Sequence, residues 1–213
     1  MVKLLIVRHG YSVTNKEKCF TGHMDVPLDE MGYRQAEAVS NCLFENYKID
    51  AIYSSDLCRA VDTVAPLASR LSLPIRTDAR LREFAMGDWE GRRFAEIDEL
   101  YPETRARQKT DPWHVRYEGG ESCDEVMARV SQCILSIAEE NEGKTALVAS
   151  HGGAIRQLMR FVLKLSYEDH AKAPTIANAS ISVIEYENGA FRLVSASETE
   201  HLSAVNENEV ETK

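Results

Sequence analysis

Leu4-Leu5-Ile6-Val7-Arg8-His9-Gly10 and, far along the chain, Thr145-Ala146-Leu147-Val148-Ala149-Ser150-His151-Gly152-Gly153 decide the fold. Each begins with an apolar run of the length expected for a short buried strand. Each run stops at a histidine followed by glycine. Open α/β sheets bind their ligands outside the carboxyl ends of the strands. Two strands ending this way bring two imidazoles and the Arg8 guanidinium to one crevice, and the glycines let backbone approach closely there.

The rest of the chain alternates in the same manner. Asp29 is placed to cap a helix running to about Tyr47, with Ala36, Val39, Leu43 and Phe44 at helical spacing. Residues 51–54 read as a second strand, and 57–71 as an amphipathic helix holding Pro66, a residue that kinks helices. Residues 121–140 and 153–164 form further helices, the first ended by Gly143. Residues 179–186 alternate as a strand, Asn188-Gly189 signals a hairpin turn, and 191–195 return. Residues 11–25 read as a loop, and 92–118 as a small cap over the crevice with a helix near 94–101. The cap's arginines, among them Arg92, Arg105 and Arg116, form a solvated, salt-bridged face, unless some turn inward to meet an anion. The expected organisation is one domain over 1–204, followed by a frayed polar tail over 205–213. Strands alternating with helices argue α/β, and the terminal hairpin makes a mostly parallel sheet mixed.

Composition narrows the function. A chain of 213 residues supports one ordinary core. Its formal charge of −9 argues against a general nucleic-acid or membrane surface, though a few focused arginines still suffice for a small anion. Five scattered cysteines without a CxxC pair suggest neither a disulfide framework nor a zinc site, and fit reduced thiols. The opening apolar run is too short for a secretory signal, and no run has transmembrane length. The expected location is the cytoplasm, with no cofactor. The residues carry no signature of oligomeric state.

Five blocks in order carry a family resemblance: Leu5 to Gly10 with Ser12, Asn15, Phe20-Thr21-Gly22 and Asp25-Val26-Pro27-Leu28; Ser54-Ser55-Asp56-Leu57-Cys58-Arg59-Ala60 with Thr63; Leu81-Arg82-Glu83 with Gly87-Asp88-Trp89-Glu90-Gly91; Gly119-Gly120-Glu121-Ser122; and Ser150-His151-Gly152. The chain resembles the histidine phosphatase superfamily, the phosphoglycerate mutase-like proteins, from about residue 3 to residue 186. The resemblance implies a three-layer α/β/α sandwich.

Phosphoryl transfer needs an in-line nucleophile, positive groups on the equatorial oxygens and a proton for the leaving alkoxide. The resemblance gives His9 the phosphohistidine role. Arg8 and Arg59 offer planar forks that match phosphate oxygens, and His151 adds a donor, charged when protonated. Glu83 matches the residue that protonates the leaving group and then activates water. Asn15, Thr21, Gly22 and Gly152 match positions around the phosphoryl group. No acidic metal-ligand cluster stands out, so no metal is expected. Glu83 is followed by Phe84-Ala85-Met86, where mutases of the family carry His-Tyr-Gly, and Gly119 comes soon after. The expected activity is therefore hydrolysis of a small phosphomonoester, with a mutase or a non-catalytic phospholigand-binding protein as alternatives. A metallohydrolase would need further carboxylate ligands. Tyr11 and Thr14 depart from the acidic residue and tryptophan usual at those positions, beside the crevice.

Overall fold

A computed structural model of the chain describes residues 1–207. The opening heptad is strand β1 (Val2–Arg8), and a short helix α1 (Val13–Glu17) interrupts the loop expected over 11–25. Five residues are too few to show an apolar period. The turn is held locally, because Asn15 Oδ1 accepts from the Ser12 N–H at 3.1 Å. Helix α2 (Glu30–Asn46) starts where Asp29 caps it, its carboxylate accepting from the Gly32 N–H at 2.9 Å. Strand β2 (Ala51–Ser54), helix α3 (Cys58–Leu71) and a three-residue strand β3 (Ile75–Thr77) follow. Pro66 lies inside α3.

The cap region holds α4 (Phe94–Leu100) and also α5 (Pro102–Thr110), which the sequence reading omitted. Next come α6 (Cys123–Glu140), capped by Ser122, then β4 (Thr145–Ser150) and α7 (Gly152–Val162). Strands β5 (Ile181–Glu187) and β6 (Ala190–Glu198) form the terminal hairpin. Asn188 and Gly189 adopt φ of 51° and 78°, the left-handed pair of a type I′ turn. A final helix α8 (Ser203–Glu207) occupies the start of the expected frayed tail, so that reading is corrected for 205–207. Its remainder, 208–213, lies outside the described residues.

The sheet order is β3-β2-β4-β1-β5-β6, with β1, β2, β3 and β4 parallel and β5 and β6 antiparallel. The pleat of β1 sorts its side chains between two cores. Leu4 and Ile6 pack with α6 and α7 residues such as Val130, Ile134 and Leu158. Leu5 and Val7 pack on the other face with Val39 and Leu43 of α2 and Val64 and Leu67 of α3. The result is the expected three-layer α/β/α sandwich with a mixed sheet. No described helix is long and apolar enough to cross a membrane.

One register matters most for the site. Strands β1 and β4 pair from Lys3 with Thr145 up to Arg8 with Ser150. His9 and His151 therefore leave the sheet side by side, and the His9 N–H still donates to the Ser150 carbonyl at 2.9 Å. The loop beyond is pressed between glycines. The Gly10 N–H donates to Thr63 Oγ1 at 2.9 Å, and Tyr11 lies against the first turn of α2, its N–H on Gln35 Oε1 at 2.8 Å.

Gly32 permits that approach, since a Cβ there would stand 2.0 Å from the Tyr11 carbonyl oxygen. Replacing glycine by alanine inside a helix normally stabilises by about 1 kcal/mol. Here Gly32→Ala is expected to destabilise by roughly 1–3 kcal/mol through overpacking against backbone. Urea unfolding checks this, and a gain in stability would contradict it.

Candidate active site

His9 and His151 stand with ring centroids 5.1 Å apart. The Gly10 carbonyl lies 2.7 Å from His9 Nδ1, so the hydrogen-bond network places the proton on Nδ1 and leaves the Nε2 lone pair free. His151 Nε2 lies 2.8 Å from Ser55 Oγ, at the end of β2, while its Nδ1 is buried without a partner. Burial first, then the neighbouring Arg59 and Arg8, hold the His9 pKa well below the ordinary histidine range. Burial, Arg59, His9 and Arg8 do the same to His151. Both rings are thereby set neutral, and His151 serves as a donor only when the Ser55 hydroxyl turns its proton toward Nε2 and Nδ1 carries one.

Arg59 is buried and Arg8 half-buried, and among the described residues neither has a counter-ion at ion-pair distance. Arg8 Nη1 donates to the Ile176 carbonyl at 2.6 Å. Arg59, 1% exposed at the start of α3, donates to the carbonyls of Met24 at 2.8 Å and Gly22 at 2.9 Å. The Nε atoms of both are buried and unpartnered. Burial lowers the pKa of both, partly offset by the Glu83 carboxylate. One buried and one half-buried cation, each with a buried spare donor, beside an orphaned imidazole nitrogen, form a site short of one anion.

Glu83 closes the opposite side, at the N-terminus of α7. Its carboxylate accepts from the N–H groups of Phe84 at 3.0 Å, Gly153 at 2.9 Å and Ala154 at 2.9 Å. Gly153 is required there, because a Cβ would meet Glu83 Oε1 at 2.5 Å and the Phe84 ring at 2.8 Å.

The backbone carrying Glu83 is pinned by residues that sequence reasoning missed. Arg129 Nη2 donates to the Glu83 carbonyl at 2.7 Å, and His23 Nε2 meets the same oxygen at 2.9 Å. Arg129 is ion-paired with Glu121 at 2.7 Å, and Glu121 in turn accepts from the Ala85 N–H at 2.8 Å. Glu90 accepts from the N–H groups of His23 at 2.8 Å and Met86 at 3.1 Å. Glu90 and Glu121 lay inside the motif blocks quoted above, whereas nothing in its helix singled out Arg129.

Arg8, His9, Asn15, Thr21, Gly22, Arg59 and Glu83 line one cavity of about 350 Å³. Asn15 spends its Oδ1 on Ser12 and Asn178, which leaves its amide N–H₂ for the cavity. Thr21 Oγ1 lies 2.6 Å from Thr14 Oγ1. Thr14 thus carries a hydrogen bond in place of the tryptophan usual at that position. His151 and Gly152 sit behind the wall. His151 is fully buried, and the Gly152 backbone packs on the Arg8 guanidinium, 3.0 Å from where a Cβ would stand.

None of the cap's arginines lines the cavity. Arg105 pairs with Asp98 at 2.7 Å, Arg116 with Glu125, and Arg92 donates to the Asp88 carbonyl. The salt-bridged outer face is therefore the correct reading of these residues. The cap's inner side is aromatic, with Trp89 packed edge-on to Phe20 and Tyr117. Among the described residues, no group of three or more His, Cys, Asp or Glu side chains is placed to hold a metal ion.

Comparison with known proteins converges on one family. The sequence profile of the histidine phosphatase superfamily (branch 1) matches residues 4–199. Phosphoglycerate mutase-like protein 4 of Arabidopsis thaliana is 32% identical over 189 residues, covering 88% of this chain and 80% of that protein. Glucosyl-3-phosphoglycerate phosphatase of Mycobacterium tuberculosis is 35% identical over 187 residues, covering 84% and 82%. The chain spans about half, 55%, of a third relative, the bifunctional protein Rv2228c of the same organism, at 35% identity. Among solved structures, Bacillus stearothermophilus YhfR superposes with a TM-score of 0.88 at 29% identity, over 95% of this chain and all of that one. With the paired histidines, the two arginines beside them and the backbone-held glutamate already in place, these matches establish that the chain belongs to branch 1 of the histidine phosphatase superfamily.

Proposed function

We propose that the chain is a metal-independent phosphatase that hydrolyses a small phosphomonoester through a phosphohistidine on His9. One observation carries this reading. His9 Nδ1 is tied to the Gly10 carbonyl, so the free Nε2 belongs to a cavity lined by two guanidinium groups whose Nε atoms are buried and unpartnered. Nε2 attacks phosphorus, the bond to the leaving oxygen breaks, and Glu83, which takes up a proton from solvent before this step, delivers it to the resulting alkoxide. Glu83, now a carboxylate, takes a proton from water. The oxygen of that water attacks phosphorus, the P–N bond breaks, and inorganic phosphate and neutral His9 are restored. Arg8 and Arg59 offset the charge of the transferring group, with Asn15 and Thr21 beside them and the neutral His151 ring packed behind His9.

Hydrolysis is favoured over mutase chemistry by where the cap's cations go. A bisphosphate intermediate needs extra positive charge over the cavity, whereas no arginine of the cap lines it and Arg105 and Arg116 are spent in ion pairs. The unpaired cysteines, two of them (Cys19 and Cys123) in the cavity wall, fit work in a reducing compartment such as the cytoplasm.

His9→Ala is expected to abolish phosphate release from an aryl phosphate in the presence of EDTA. Glu83→Gln should slow it about 10²- to 10⁴-fold. Phosphate release in His9→Ala at the wild-type rate would remove the phosphohistidine route.

The neutral histidines also set a pH dependence of stability. Their folded pKa values lie below the unfolded value of about 6.5, so below that pH the unfolded chain binds more protons. Their contribution is complete above pH ~6.5 and is lost as pH falls, at up to about 1.4 kcal/mol per pH unit for each ring. Unfolding free energy measured at pH 7.0 and 5.5 should show the decline, and the double variant His9→Asn, His151→Asn should flatten it. A wild-type stability that is level across that interval would contradict the assignment.

A further inference from the structure

The cavity has a second end that the phosphoryl chemistry does not use. Gly153, whose N–H holds Glu83, begins a face of α7 that continues at the i+3 and i+4 positions with Arg156 and Gln157, about one 5.4 Å turn along the axis. Both side chains line the same cavity as His9, and Tyr117 of the cap joins them. Of the residues lining it, Glu83 alone is a carboxylate, and its oxygens are already held by three backbone N–H groups.

What this end offers is hydrogen-bond donors. Arg156 forms no ion pair among the described residues. Its Nε is buried without a partner, and its Nη2 has only the His170 carbonyl at 3.4 Å. Gln157 is oriented by Arg160, whose Nη1 donates to Gln157 Oε1 at 2.5 Å. An arginine can only donate, so the amide oxygen faces Arg160 and the amide N–H₂ is left for the cavity. Arg160 itself is 4% exposed, stacked 3.2 Å from the centre of the Trp113 ring, with Nε and Nη2 unpartnered. The nearby acid, Asp124, is engaged by His114 at 3.2 Å. The Tyr117 hydroxyl has no protein partner among the described residues, and burial pushes its pKa up, so it is a neutral donor.

Resting on the phosphatase reading above, we infer that Arg156, Gln157 and Tyr117 form a specificity subsite for a carboxylate carried by the substrate a few bonds from its phosphoryl group. One guanidinium with two neutral donors matches a single negative charge, whereas a second phosphate would bring nearly two. Arg160 is a positioning residue that fixes the Gln157 amide. The substrate class is a short phosphorylated carboxylic acid.

The test compares two compounds that differ at this group alone: 3-phosphoglycerate, and glycerol 3-phosphate, which has an alcohol in place of the carboxylate. The wild-type protein should prefer the acid by at least tenfold in kcat/KM. Arg156→Met should cut that ratio by about 10- to 100-fold, the range for lost charge-assisted hydrogen bonds. Gln157→Glu keeps the acceptor for Arg160 and puts a negative oxygen where the donors were, so it should cut the ratio similarly. Calorimetric binding of the same pair to His9→Ala reads the preference without turnover. Hydrolysis of both compounds at equal efficiency, or a ratio unmoved in both variants, overturns the subsite and leaves the phosphatase reading standing. Preferential binding of the acid with no hydrolysis of either compound, nor of an aryl phosphate, removes the phosphatase reading and retains the subsite.

Discussion

Burial of positive charge without a partner is the constraint around which this structure is built. Arg59 is withdrawn from water and Arg8 half withdrawn; both spend part of their donors on backbone carbonyls and keep their buried Nε atoms unused. Such an arrangement is costly in the empty protein and is offset when an anion arrives. The same field, together with burial, keeps both imidazoles neutral. A protonated His9 would have no lone pair to offer, so on the proposed mechanism the cations that would bind the phosphoryl group would also maintain its nucleophile.

The sheet makes this possible through one register. Because β1 and β4 run parallel and pair through Arg8 with Ser150, two segments distant in sequence end at the same level. Everything else at the site is fitted around that edge. Gly10 and Gly32 let α2 approach, Gly152 admits the Arg8 guanidinium, and Gly153 admits the Glu83 carboxylate. Glu83 in turn depends on a support of backbone hydrogen bonds from Arg129, His23, Glu121 and Glu90.

The strands ending in histidine and glycine, and the long helices with apolar stripes, were legible in the sequence because burial writes a period into them. Helix α5 was not. Its face is almost wholly polar, and it is held by contacts such as Thr104 with Glu118 and Tyr167 with the Thr110 carbonyl. Strand β3 is three residues long and lies at the sheet edge beside β2, so it leaves no alternation to find. At the site, Arg8, His9, Asn15, Thr21, Gly22, Arg59 and Glu83 of the cavity lining were readable from their motif blocks. Those that hold Glu83 act on main-chain atoms across long sequence separations, and such contacts have no pattern. Arg156 and Gln157 lay between these cases. Their place on α7 follows from its first turn, but their lack of an acidic partner is visible only in three dimensions.

The central claim is that His9 Nε2, and no other atom, receives the phosphoryl group in a site neutralised by arginine. The most direct measurement is to quench the protein in alkali during turnover of a phosphomonoester, with EDTA present, and locate the covalent phosphate by peptide mapping and ³¹P NMR. The account predicts an alkali-stable, acid-labile phosphoramidate on Nε2 of His9. Phosphate on Nδ1, on another residue, or nowhere while turnover proceeds would contradict it.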